Sequence, residues 1–211
     1  MIAKDTSNSR PSRDPIPAGM HIARAYGLFD LGTHYDEKFD KSRREVVIVW
    51  EIAAERIEVD RDGKKTNLPR AISKRYTLSL HEKARLRADL ESWRGRPFTG
   101  EELAGFEMKT ILGKPCLLNI THTKKEDRTF ANIGAITPLM KGMTAPPQEN
   151  PSAFFSFDDG SYHFPAGMPD WICEVASSSK EWIKLSTGQR EAEPESKAED
   201  DAVDVETSLP F

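Results

Sequence analysis

The apolar residues of this chain change their period at Ser79, and that change limits the possible folds more than any other feature. Before it, three segments alternate their side chains with a period of two, as extended strands do. His21–Leu31 sets the small residues Ala23, Ala25 and Gly27 against Ile22, Arg24, Tyr26 and Leu28. Glu45–Ile52, Glu-Val-Val-Ile-Val-Trp-Glu-Ile, is dense in β-branched residues, which suit a pleated surface. In that run Trp50 alternates with Val46, Ile48 and Ile52, a pattern that favours the core and leaves a base-stacking platform as the alternative. Asp60–Leu68 reads as a loop around Asp62-Gly63, a dipeptide suited to a turn with positive φ, and leads into Arg70–Leu78. From Ser79 the spacing turns helical. Ser79-x-x-Glu82 has the form of a capping box, Leu86, Leu90 and Trp93 follow on one face, and Gly95 is the expected end. Thr99 and Glu102 repeat the cap before a short second helix closed by Gly105. Alternation returns in Cys116–Thr123 and Thr129–Thr137, which read as a hairpin, and Pro138 ends the sheet.

Three strands, a helical interlude and two more strands predict a mainly β fold: a single five-stranded OB-type barrel with a helical insertion between strands 3 and 4. A chain of 211 residues suits one such domain with extensions. Residues 1–15 are polar without periodic apolar residues and read as a disordered leader. The barrel spans 16–138. Residues 139–188 form a proline-bearing linker, an aromatic stretch and a helix expected to pack back onto the barrel. That helix should break at Ser177-Ser178-Ser179, where Ser178-x-x-Glu181 offers a new cap. Residues 189–211 read as a disordered acidic tail.

Charge is sharply divided. The whole chain carries −4, but Gln189–Phe211 holds eight acids against two bases, a net of −6, which leaves +2 on the body. Cys116 and Cys173 have neither disulfide-framework nor zinc-site spacing, which fits a reducing cytoplasm. The N-terminus lacks the apolar core of a secretory signal, and no run is long enough to span a bilayer. There is no phosphate-loop motif, no closely spaced metal-binding pair outside the tail, and the five histidines are scattered. Neither a catalytic site nor a cofactor is expected.

An OB-type barrel presents its ligand across strands 2 and 3, rimmed by the 1-2 and 4-5 loops. Here the first loop carries Lys38, Lys41, Arg43 and Arg44 interleaved with Tyr35 and Phe39. The second carries Lys124, Lys125 and Arg128 beside His122 and Phe130. Arg24 with Tyr26, and Lys74 with Tyr76, each place a cation beside a ring on one strand face. Cations follow phosphates while rings stack on unpaired bases, each stack contributing roughly 1–3 kcal/mol. Either tyrosine alternatively lines the core, and any one loop cation alternatively is only solvated charge.

The tail adds a second kind of signal. After Asp200, Asp201, Asp204 and Glu206 the chain closes on Leu209-Pro210-Phe211, an apolar plug and a carboxylate on an anionic tether. Such a peptide suits a partner with an apolar pocket and a basic rim. It resembles the acidic tip of bacterial single-stranded DNA-binding proteins. Separately, Pro17–His34, the block Ser73–Thr99, Asn119-Ile-Thr-His122 and Phe130-Ala-Asn-Ile133 resemble a family of phage and prophage proteins, often labelled replication proteins, that includes OB-fold single-stranded DNA binders. The resemblance covers residues 17–138. It implies a non-catalytic protein of the host-cell cytoplasm that coats single strands in phage replication or recombination, with self-association left open. The resemblance of the tip implies recruitment of polymerase, helicase, nuclease or recombinase partners through it. Two alternatives are an interaction module that captures host replication proteins by mimicking a host tip, and a nuclease or recombination accessory enzyme.

Overall fold

The computed structural model describes residues 14–187 apart from 39, 62–63, 127 and 161–162. The leader up to residue 13 and the acidic tail lie outside the described residues. Among the described residues there are six strands: β1 (Gly19–Asp36), β2 (Lys41–Arg61), β3 (Lys64–Thr77), β4 (Pro115–Lys125), β5 (Arg128–Thr137) and β6 (Ala153–Phe155). Helices α1 (Arg85–Arg94) and α2 (Gly100–Ala104) and a single 3-10 turn, Met108–Ile111, lie between β3 and β4. The chain then adds a second 3-10 turn at Phe157–Asp159, followed by α3 (Asp170–Ser177) and α4 (Lys180–Ser186). Five strands pair antiparallel in the order β3-β2-β1-β4-β5, forming an open, curled half-barrel. Strand β6 joins it parallel to Gly27–Phe29 of β1.

The strands outrun the alternation that announces them. Residues 60–61 and 64–68, expected as a loop, belong to a paired β2–β3 arm of residues 56–61 and 64–69. A register shift between Ile52 and Arg56 absorbs the break in the apolar pattern. Beyond it, Ile57 pairs with Leu68 and Val59 with Thr66 on one face, while Glu58 and Lys65 form a 2.9 Å ion pair on the other.

Both faces of the sheet's middle are buried. On the inner face Ile48, Trp50 and Ile52 meet Leu118, Ile120, Ile133 and Ile136, and α1 closes the curl with Leu86, Leu90 and Trp93. Trp50 is fully buried 5.9 Å from Trp93 and belongs to the core. On the outer face Phe29, Leu31, Val47 and Val49 are covered by Phe155, Phe157, Met168, Ile172 and Ala176. A strand covered on both sides reads as a nearly continuous apolar run, which is why residues 45–52 are so uniform.

Polar contacts hold this outer layer. The buried Glu51 carboxylate accepts from the backbone N–H groups of Glu149 and Asn150, both at 2.8 Å. Asp30, also buried, accepts from Phe157 N and from the Arg44 guanidinium. Glu181 of α4 accepts from the N–H of Thr33 at 2.6 Å and from its hydroxyl. Gly32 is required at this junction: its φ is +74°, and a β-carbon there would lie 2.4 Å from the Ser179 Cβ.

Helix ends follow local chemistry, with two exceptions. Gly95 stops α1 in the left-handed conformation, and Thr99 with Glu102 forms the complete capping box of α2. Ser79, however, does not cap α1. Its hydroxyl accepts from His81 N inside a turn, and the helix starts after Ala84 without a side-chain cap. The α3–α4 break is capped by Ser179, one residue beyond the expected Ser178, and Glu181 bonds Thr33. Among the described residues no helix is long and apolar enough to cross a membrane.

Candidate nucleic-acid interface

Strand register decides which basic segments can cooperate. At the start of β1, Gly19 pairs with Ile120, so β4 runs on past that end toward the β4–β5 turn. Arg24 pairs with Glu51, so β2 also runs on past the start of β1 into the β2–β3 arm. The β1–β2 turn lies at the other end, where Asp36 pairs with Lys41. The two basic loops expected to rim one groove are therefore set at opposite ends of β1. The β4–β5 turn shares its end with the arm.

Several expected ligand residues are occupied within the protein. Tyr76 is 3% exposed, and its hydroxyl donates to Asp89 at 2.9 Å, so its ring has no face for a base. Burial, and then the Asp89 carboxylate, push its phenol far above the ordinary range. Lys74 donates to the same Asp89 oxygen at 2.6 Å and to the Ile133 carbonyl at 3.3 Å. Shared-face logic placed this pair correctly, but the face is the inner one. Arg24 donates to the carbonyls of Gly113 at 2.6 Å and Pro146 at 2.9 Å, fastening two loops. Arg44 grips Asp30 and Asp158, and these hydrogen bonds raise its pKa. Each of these four is better explained by the packing of the fold than by a phosphate or a base.

The β1–β2 turn keeps a polar surface of its own. Tyr35 is 56% exposed and donates to Asp40, a bond that raises its pKa. Arg43 lies 3.6 Å from Asp36, the backbone N–H of Lys38 binds the same carboxylate at 3.1 Å, and Lys41 is exposed. Phe39 lies outside the described residues. Tyr26 is half-buried. It lines a groove of about 920 Å³ between the arm and residues 150–170, in which the charges Arg70 and Asp170 oppose each other.

The β4–β5 hairpin is different. Thr123 pairs with Phe130 and Lys125 with Arg128, and alternation places these four on one face. Phe130 is 47% exposed there, and among the described residues no carboxylate pairs with Lys124, Lys125 or Arg128. His122 and Lys124 alternate to the other face, where the His122 ring bonds the Ile16 carbonyl at 2.8 Å. The result is an exposed ring flanked by cations on a projecting hairpin. Sequence reading identified these residues but missed the arm beside them at the same end of the sheet, whose cations Arg56 and Lys65 are paired with Glu149 and Glu58. The Asp62-Gly63 dipeptide, suited to a hairpin turn, was the available signal in the sequence.

Comparison with models of known protein families, with curated proteins and with solved structures finds no match.

Proposed function

We propose that this chain binds single-stranded DNA without catalysing a reaction on it, and that bases stack on the outer face of the β4–β5 hairpin. The observation that carries the reading is Phe130, nearly half exposed, on the same face as Lys125 and Arg128. A ring accepts any base, while flexible cations follow the phosphates. The strand order supports an OB-type barrel left open between its edge strands. At that seam Lys74 and Arg85 reach carbonyls of β5, at Ile133 and Gly134. The acidic tail with its Leu-Pro-Phe segment supports recruitment of replication or repair proteins, and phage replication is the setting that the separate resemblance of residues 17–138 suggests.

Fluorescence anisotropy of labelled oligo(dT) and of a matched duplex tests this reading on the full chain. The expected result is tighter binding to oligo(dT), with affinity falling as salt rises. Three or four phosphate contacts on a single strand correspond to a log–log slope of roughly −2 to −3. Equal affinity for duplex, or binding indifferent to salt, would remove the reading.

A further inference from the structure

Below the helical interlude, α1 and the turn Met108–Ile111 enclose a cleft of about 450 Å³, within the roughly 300–1,000 Å³ of small-ligand pockets. Its floor is apolar, with Trp93, Phe106 and Ile111. Its rim holds three cations, Arg94, Arg96 and Lys114, against one carboxylate, Glu102. Both arginines bond Glu102, Arg96 at 2.8 and 3.0 Å, so a surplus of positive charge remains. Arg96 is half exposed, and Lys114 is exposed with no side-chain partner among the described residues. A basic rim over an apolar floor fits an apolar peptide segment flanked by acids. The larger groove beside the arm lacks this character, because Arg70 and Asp170 cancel there.

We propose that this cleft docks the chain's own segment Leu209-Pro210-Phe211, with an apolar side chain on the Trp93–Phe106 floor and the preceding acids, Asp204 and Glu206, toward Lys114 and Arg96. Charge favours it: residues 189–211 carry −6 against the cationic rim. Reach permits it. Helix α4 is tied to Thr33 through Glu181, and the cleft is tied to Ala25 through the Ala25 N–H to Lys114 carbonyl bond of 3.2 Å. Thr33 and Ala25 are separated along β1 by roughly 26 Å at strand rise, whereas residues 188–211 have a fully extended length of about 80 Å. Docking stores the tip in the free protein, so a recruited partner competes with the cleft for it. This inference is independent of the DNA-binding reading.

The test places the photoreactive analogue p-benzoylphenylalanine at position 211 of the full chain, irradiates it without DNA, and maps crosslinked peptides by mass spectrometry. Crosslinks should fall in peptides covering residues 90–115. In an equal mixture of light and heavy-isotope chains they should join segments of one chain. Lys114→Glu should cut the yield on the order of five-fold, the size of an exposed ion pair at its upper end, with an unchanged melting temperature. Arg96→Glu serves as a second variant with the same expected loss. Crosslinks to residues 57–70 or 151–170, crosslinks between chains, no crosslink, or yields untouched by both substitutions would overturn the proposal.

Discussion

Asp89→Ala is expected to lower the melting temperature of this protein by roughly 10 °C. Asp89 is 7% exposed and serves three donors: Lys74 at 2.6 Å, the Tyr76 hydroxyl at 2.9 Å and Arg85 at 3.0 Å. Removing the carboxylate strands a mostly buried ammonium and a buried phenol under α1. Breaking a buried pair from one side costs about 3–5 kcal/mol. For a domain of this size each kcal/mol moves the midpoint by about 2–4 °C. Asp89→Asn, which keeps one acceptor oxygen, should lose less. Because the network lies on the inner face, oligo(dT) affinity of the folded variant should be unchanged. Thermal melts by circular dichroism decide the point, and a drop below about 2 °C for Asp89→Ala would show that the network contributes little.

Phe130→Ala should do the reverse. Its ring is exposed, so truncation removes little buried area and the melting temperature should hold within about 2 °C. Loss of one stacked base, roughly 1–3 kcal/mol, corresponds to a fall in oligo(dT) affinity of about five-fold to 160-fold. Tyr76→Phe is the internal control. It removes a buried hydroxyl from Asp89, which lowers stability by about 1 kcal/mol, and leaves affinity untouched. Anisotropy and thermal melts on the two variants separate a base platform from a core residue. Equal affinity of Phe130→Ala and the parent chain would remove Phe130 from the interface.

Those two residues also mark what was legible in the sequence. Helix α1 was readable from Leu86, Leu90 and Trp93, and α2 from Thr99 and Glu102, because both signals are local and self-contained. Phe130 and its flanking cations were readable because a hairpin turn and its alternation also lie within a dozen residues. Tyr76 and Lys74 were not. Alternation shows which residues share a face but not which face is inside, and here the face is the inner one, where Asp89 of α1 accepts from both side chains. The separation of the two basic loops was hidden for a related reason. It follows from the pairing of β1 with both β2 and β4, long-range contacts that no local pattern encodes. The β2–β3 arm escaped notice because three residues between Ile52 and Arg56 interrupt the apolar rhythm, and only pairing to β3 restores it.

Binding at the β4–β5 hairpin is tested most directly by ultraviolet crosslinking of the full chain to oligo(dT), with the crosslinked peptides mapped by mass spectrometry. The expected result is attachment within residues 121–132, centred on Phe130, with further sites on the arm between residues 56 and 70, all suppressed by raised salt. Attachment confined to the β1–β2 turn at residues 35–44, or no attachment under conditions where oligo(dT) binds, would contradict it.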